Sequence, residues 1–484
     1  MGRWKEALQF KKAATIRRIL ILQKNGEIAM ITENKKSNGL RMTEGSIWKS
    51  LLLFSIPLLI GNLFQQLYNT VDSIIVGNLV GKEALAAVGS SNSLINLIVG
   101  LFMGIATGAG VIISQYYGAK KKEHMHWAVH TSIALSIIGG AILIVLGIVL
   151  SPWILEMMGT PDSVMPNSVL YLRIFFCGSI FNVVYNMGAG ILRAVGDSKR
   201  PLYYLCIASV VNIILDLLFV AIFHMEIAGV ALATIIAQAV SAVLVLIALI
   251  KDQDIYQLHI KEIRIDSKMT GRILRMGIPT GLQSAIISLS NVIVQANINF
   301  FGENAMAGCS SYIKIDGFVI LPIMSFGMAA MTFVGQNIGA GKLDRVKNCV
   351  KSGLLLSEIY TIVISILLFL TGNYILAIFT PDADVISCGA TMMRTLVPFY
   401  WMLTITQYLA GVFRGAGKAT TTMLLLVGNM VGVRMIWVNI MTPIFPKLTT
   451  VLLGYGVSWI TAMLCTLLYL WKGNWLSWDK KTPS

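Results

Sequence analysis

The chain has 484 residues, 56% of them hydrophobic and only 13% charged, and its mean hydropathy of +0.74 lies outside the range of soluble globular proteins. Those values exclude a soluble enzyme or scaffold and require a membrane protein. A formal net charge of +15 raises the question of a nucleic-acid partner, and the placement of the basic residues excludes one.

The first 45 residues are basic, lack a small-residue cleavage site, and carry one apolar patch, ILIL, too short to span. They read either as a solvated arm or as an artefact of a start site placed upstream of Met30 or Met42, and the second reading is favoured. A bilayer span needs about 20 mostly apolar residues. Twelve such segments follow, near 50–75, 85–115, 126–150, 168–192, 202–223, 228–250, 273–300, 308–338, 348–371, 389–411, 419–441 and 449–471. Of 38 Lys and Arg, 11 precede residue 50, 18 lie in alternate loops and 3 follow the last span, whereas the opposite loops hold only Lys82 and Lys447. This is the positive-inside pattern, and it predicts that both termini are cytoplasmic in a multi-pass protein of the cell membrane. Six cysteines, at 177, 206, 309, 349, 388 and 465, stand singly without metal spacing, which predicts neither a disulfide framework nor a zinc site.

The chain repeats itself. FSIPLLIGN at 54 answers MGIPTGLQS at 276, GKEALAA at 81 answers GENAMAG at 302, and SQYYGAK at 114 answers GQNIGAG at 335, pairing Gln115 with Gln336. GTPD at 159 answers FTPD at 379, and ILRAVGDSK at 191 answers VFRGAGKAT at 412, so the offset holds between 220 and 222. Six spans per copy is an even number, so the repeats enter the membrane from the same side and are related by an axis along its normal. The expected fold is all-α and polytopic, with twelve transmembrane helices in two parallel-repeat six-helix bundles around a central cleft. The expected organisation is an arm at 1–45, bundles at 46–250 and 273–471, a linker at 251–272 and a tail at 472–484.

Polar side chains in lipid are costly unless they face a bundle interior or a cavity. In span 1, Asn62, Gln66, Asn69 and Ser73 follow a helical face with Gln65 and Asp72 beside them; in span 7, Gln283, Asn291, Gln295 and Asn299 form a similar ladder. Both stripes are expected to line the cleft. Bringing an ionised Asp to mid-bilayer costs at least about 2.5–3.5 kcal/mol, so Asp72 and Asp216 need a reason. Asn212 and Asp216 are one turn apart; their oxygens suit a small hard cation such as Na+, and a carboxyl held there can equally carry a proton. No Lys or Arg lies in the apolar segments of spans 1, 5 or 6. By the repeat offset Asp72 maps onto Val294 and Asp216 onto Trp437, which confines the acids' role to the first bundle. In the second half, Asp316 and Glu358 could face the cleft and attract a cationic substrate, or pair with Lys314 and Arg434. Arg173 and Arg394 read as snorkelling residues, and the many Met and aromatic residues mostly as packing. The five histidines (124, 126, 130, 224, 259) fall in loops or at interfaces, and no HExxH or G-x-S-x-G is present, so no enzyme is expected.

IPLLIGNLFQQLYNTVDSIIVGNLVGKEALAAVG, with ILRAVGDSKRP and VNIILDLLF, resembles the multidrug and toxic compound extrusion (MATE) transporters, within the superfamily that also includes lipid and polysaccharide flippases. The resemblance covers residues 44 to 471. It implies efflux of organic, often cationic, compounds in exchange for Na+ or H+ by alternating access. In the prokaryotic branch with an N-terminal-bundle cation site it implies cation binding by Asp72, Asn212, Asp216 and Thr234. No acid stands in spans 7 or 10, where another branch carries them. The expected partners are small organic cations and the bilayer. A monomer is expected, with no cofactor and no metal beyond Na+; the alternative is a flippase for a lipid-linked or polysaccharide head group. N-terminal sequencing of the expressed protein is expected to start at Met30 or Met42, and a start at Met1 would make the arm part of the protein.

Overall fold

In lipid, backbone N–H and C=O groups must find partners within the chain, and a single apolar strand of polypeptide satisfies that only as helix. The computed structural model describes residues 40–378 and 382–476, and every regular element among them is helical. The expectations for residues 1–39, for Thr380 and Pro381 of the second TPD motif, and for the tail beyond 476 lie outside the described residues.

The spans, in order, are Ile47–Val80, Lys82–Gly118, Lys122–Met157, a bent pair Met165–Cys177 and Ser179–Ala194, Lys199–Ile222, Glu226–Lys251, Ser267–Asn299, Glu303–Gly339, Leu343–Ala377, Ala383–Gly415, Ala419–Ile444 and Leu448–Lys472. The bent pair, kinked by 50°, is span 4. Several helices outrun their apolar segments because they continue into the polar boundary: span 3 has 36 residues.

The repeat is visible in backbone details. Pro57 and Pro279 sit inside spans 1 and 7 at corresponding positions. The break of span 4 at Gly178 is answered in span 10 by the 3-10 turn Val397–Phe399. Three spans switch from α to π geometry, at Val76–Val80, Leu217–Ile222 and Gly428–Val433, and these switches do not correspond between the copies.

Helices in a bilayer gain little from hydrophobicity against one another, so close packing of small residues decides where bundles touch. Spans 2 and 7 cross with their backbones in contact: a Cβ on Gly104 would lie 2.2 Å from the Gly281 nitrogen, and one on Gly108 would lie 2.5 Å from that of Gly277. Spans 1 and 8 form the related seam, where Asn62 Nδ2 donates to Ser325 Oγ at 3.4 Å.

At the end bearing the basic loops the halves interlock with near two-fold symmetry. Gln115 Nε2 donates to the Gly415 carbonyl at 3.0 Å, and Gln336 Nε2 to the Ala194 carbonyl at 2.8 Å. Both the glutamines and their acceptors correspond in the repeat. Beside them, a Cβ on Gly118 would lie 1.9 Å from the Gln336 oxygen, and one on Gly339 would lie 1.9 Å from the Gln115 oxygen. Segment 40–45 straps the same end. Leu40 N donates to Gly196 O of the first bundle at 3.1 Å. On the second bundle, Arg345 donates to the carbonyls of Met42, Glu44 and Gly45, and Lys342 to that of Thr43.

Gly339→Val places methyl groups where the Gln115 carbonyl now sits, so the basic ends should separate. Spin labels at Lys121 and Lys347, after replacement of the native cysteines, should report a longer distance in the variant. An unchanged distance would show that the closure does not depend on this approach.

Candidate functional site

The apolar periodicity of spans 1, 5 and 6 packs them together, and it turns Asp72, Asn212, Asp216 and Thr234 away from the surface. Asp216 and Asn212 are fully buried, Thr234 is 6% exposed and Asp72 8%. The carboxyls of Asp72 and Asp216 lie near enough for the charge on one to act on the other, without forming a well-made hydrogen bond. Thr234 Oγ1 donates to the Val230 carbonyl at 3.0 Å, as a hydroxyl on a helix commonly does. That leaves its oxygen lone pairs for another partner.

Five buried polar atoms here have no hydrogen-bond partner: Asp72 Oδ1, both terminal atoms of Asn212, and both carboxyl oxygens of Asp216. A buried polar group left so costs on the order of 1–3 kcal/mol, and more when charged. No salt bridge joins either acid to a basic side chain among the described residues. Oxygen-rich, acidic and unpartnered, the cluster has the chemistry to hold a hard cation or a proton.

The backbone is special at the same place. Asp216 is the last α-helical residue before the π segment Leu217–Ile222, and the π segment of span 1 begins one turn after Asp72, with Val76 N shared between the carbonyls of Asp72 and Ser73. Such bulges inside α-helices are rare and often mark functional positions.

Two tyrosines not singled out from the sequence join the cluster. Tyr68, beside Thr234, and the buried Tyr171 of span 4 both stand within electrostatic reach of Asp72 and Asp216. Tyr68 was legible, one turn before Asp72 on the same stripe. Tyr171 was not, because only the folding of span 4 brings it there.

Of the side chains expected to line the cleft, Gln65, Gln66, Asn69 and Asn291 are exposed and Asn62 and Gln295 partly so. Gln283 is different: it is 5% exposed, with Oε1 buried and unpartnered. Gly281 presses against Leu101 of span 2, and two residues on is about 200° round the helix, which turns Gln283 into the second bundle. Gln295 Nε2 donates to Asn299 Oδ1 at 2.9 Å.

Asp316 lies on span 8. Its Oδ1 accepts from the hydroxyls of Tyr312 and Tyr400. Arg434, 2% exposed, instead donates to Asn291 Oδ1 at 2.9 Å and approaches Ser458 Oγ at 3.4 Å, with its guanidinium 4.1 Å from the centre of the Tyr455 ring. Glu358 is partly buried, with Oε1 unpartnered. At the positions that answer the two acids, Val294 is fully buried and the Trp437 indole donates to the Thr450 carbonyl at 2.9 Å.

The MatE family model matches residues 57–218 and 279–440, two stretches displaced by 222, as the internal repeat requires. The chain is 29% identical over 448 residues to the "Probable multidrug resistance protein YoeA" of Bacillus subtilis, covering 91% of this chain and 96% of that one. It is 30% identical over 443 residues to the "Probable multidrug resistance protein YpnP" of the same organism, covering 90% and 97%. The "Multidrug export protein MepA" of Staphylococcus aureus is 22% identical over 424 residues, covering 87% and 94%. Among solved structures, an outward-facing multidrug resistance MATE family transporter of the MOP superfamily superposes with a TM-score of 0.84 at 23% identity, over 90% of this chain and 97% of that one. A MOP superfamily transporter from Pyrococcus furiosus gives 0.83 at 24%, over 90% and 97%.

Two neighbouring buried carboxyls repel each other when both are ionised. Asp216→Asn should therefore raise the apparent melting temperature of the purified protein in Na+-free buffer near pH 8 by about 2 °C or more. A comparable fall would mean that the carboxylate has a stabilising partner.

Proposed function

Because the chain belongs to the MatE family, we propose that it is a secondary active efflux antiporter, exporting organic cationic compounds in exchange for Na+ or H+. The observation that carries this reading is the cluster of five unpartnered buried polar atoms on Asp72, Asn212 and Asp216 in the first bundle. A coupling ion or proton among them, with Thr234 as a further oxygen ligand, would relieve the repulsion of the two acids and draw spans 1, 5 and 6 together. Ion loss would loosen the same spans. The coupling species is thereby given a different free energy in the two states of the transporter, which any ligand-driven change requires.

In this reading the basic loops face the cytoplasm, and the Gln115 and Gln336 contacts close that side while the cleft opens outward. Alternating access breaks both contacts together and rocks one bundle against the other. The related glycine and glutamine positions suit that motion, because they end in backbone carbonyls that water can replace without burying a charge. Asp316, and Glu358 on span 9, supply negative charge in the second bundle for a cationic cargo. We propose a monomer acting in the bilayer, with no cofactor besides the coupling ion.

One observation favours a second reading, transport of an anionic lipid-linked head group: Arg434 is buried in the second bundle and held by neutral partners, Asn291, Ser458 and Tyr455. The first bundle's acids favour cation exchange.

Proteoliposomes carrying a fluorescent organic cation, under separately imposed Na+ and pH gradients, test the proposal. The wild type should move the dye with one of the two gradients, and Asp216→Asn should lose that coupling while remaining inserted and monodisperse. Undiminished gradient-driven transport in Asp216→Asn would sink the site assignment. Movement of a fluorescent lipid in place of the dye would establish the second reading.

A further inference from the structure

Three of the chain's five histidines gather away from the transport site, where the start of span 3 meets the linker between the halves. His126 and His130 are one turn apart on span 3, which puts both imidazoles on one helix face. From the linker, Glu262 closes a 3-10 turn, Ile260–Glu262, and His259 precedes it. A ligand atom of His126, one of His130 and one of Glu262 all lie within 4.8 Å of one another. His126 Nε2 is 3.0 Å from Glu262 Oε2, and the rings of His126 and His130 are 3.9 Å apart, with the His259 ring 6.1 Å from that of His130. His130 is fully buried where span 3 meets the linker.

The hydrogen bonds decide which nitrogen of His130 carries the proton. Its Nδ1 lies 2.7 Å from the His126 carbonyl, which can only accept, so Nδ1 holds the hydrogen. Its Nε2 receives the His259 backbone N–H at 3.0 Å, which can only donate, so Nε2 presents a lone pair. A neutral imidazole whose Nδ1–H is fixed by a backbone carbonyl is how metal-ligating histidines are commonly oriented. The linker is also held by contacts that do not involve the histidines. Asp266 N donates to Thr131 Oγ1 at 3.2 Å, and the Arg264 guanidinium lies 4.0 Å from the Trp127 ring centre.

We propose that His126, His130 and Glu262 form a binding site for a divalent transition metal of the Zn2+ or Ni2+ type. Two imidazoles and one carboxylate are a donor set these borderline ions take, with an open position for water or for His259. The His126–Glu262 separation is already near that of adjacent ligands around such an ion. Binding requires that the His126–Glu262 contact open to admit the metal and that His259 N–H give up His130 Nε2 to it. The bound ion would staple the linker joining the two halves onto the first bundle.

The test uses tag-free, full-length protein, stripped with chelator and titrated calorimetrically with Zn2+. One equivalent should bind and raise the melting temperature, whereas Ca2+ and Mg2+ should do neither. His126→Ala and Glu262→Ala, at partly exposed positions, should melt like the parent without metal yet weaken Zn2+ binding by about 10-fold or more. His124→Ala, outside the cluster, should leave binding unchanged. Absence of binding in the parent, or equal affinity and stoichiometry in the parent and in His126→Ala and Glu262→Ala, overturns the proposal and leaves the cluster as a hydrogen-bonded tie.

Discussion

Two carboxyls, Asp72 and Asp216, share one buried region with no basic side chain paired to either among the described residues. In a low-dielectric interior, like charges at close range repel strongly and an unpaired charge is poorly solvated. A cation between the acids, or a proton on one of them, would relieve that repulsion. Asn212, Thr234, Tyr68 and Tyr171 surround the two acids with polar atoms. The π segments that follow both acids show that the helices themselves deviate from regular geometry at this level.

The second bundle resolves the same problem differently. Spans 7, 11 and 12, the counterparts of spans 1, 5 and 6, enclose a guanidinium: Arg434, bound to Asn291 and near Ser458, with Tyr455 beneath it. The tethered charge is positive, always present, and cannot exchange. Gene duplication supplied two equal frames, and substitution left one with two buried acids and the other with a buried guanidinium. That contrast supports the proposal that the coupling ion engages the first bundle alone.

The contacts at the basic end behave in the opposite way, because they kept their symmetry. Gln115 and Gln336, Ala194 and Gly415, Gly118 and Gly339 correspond pairwise and meet across the interface. Closing two bundles about one axis needs matching surfaces on both, so each half constrains the other. A pair of acids inside one bundle is under no such constraint. Symmetric closure and asymmetric acids thus answer to different physical demands within one repeated framework.

The membrane class, the twelve spans, the repeat and its parallel sense were legible in the sequence, because lipid imposes length, apolarity and charge placement on each segment locally. The acids stood out for the same reason, as costs that a span does not tolerate without compensation, and the empty positions at Val294 and Trp437 followed by counting. Neighbourhood between distant spans needed the fold. The approach of Asp72 to Asp216, the arrival of Tyr171, the turning of Gln283 into the second bundle and the capture of Asp316 by Tyr312 and Tyr400 all depend on helix rotation and crossing. Those are set by packing of whole faces, as at Gly104 against Gly281, and no single stretch of sequence encodes them. The meeting of His126 and His130 with Glu262 is of the same kind: the i, i+4 spacing was visible along the chain, but the carboxylate arrives from a linker that only the tertiary structure folds back onto span 3.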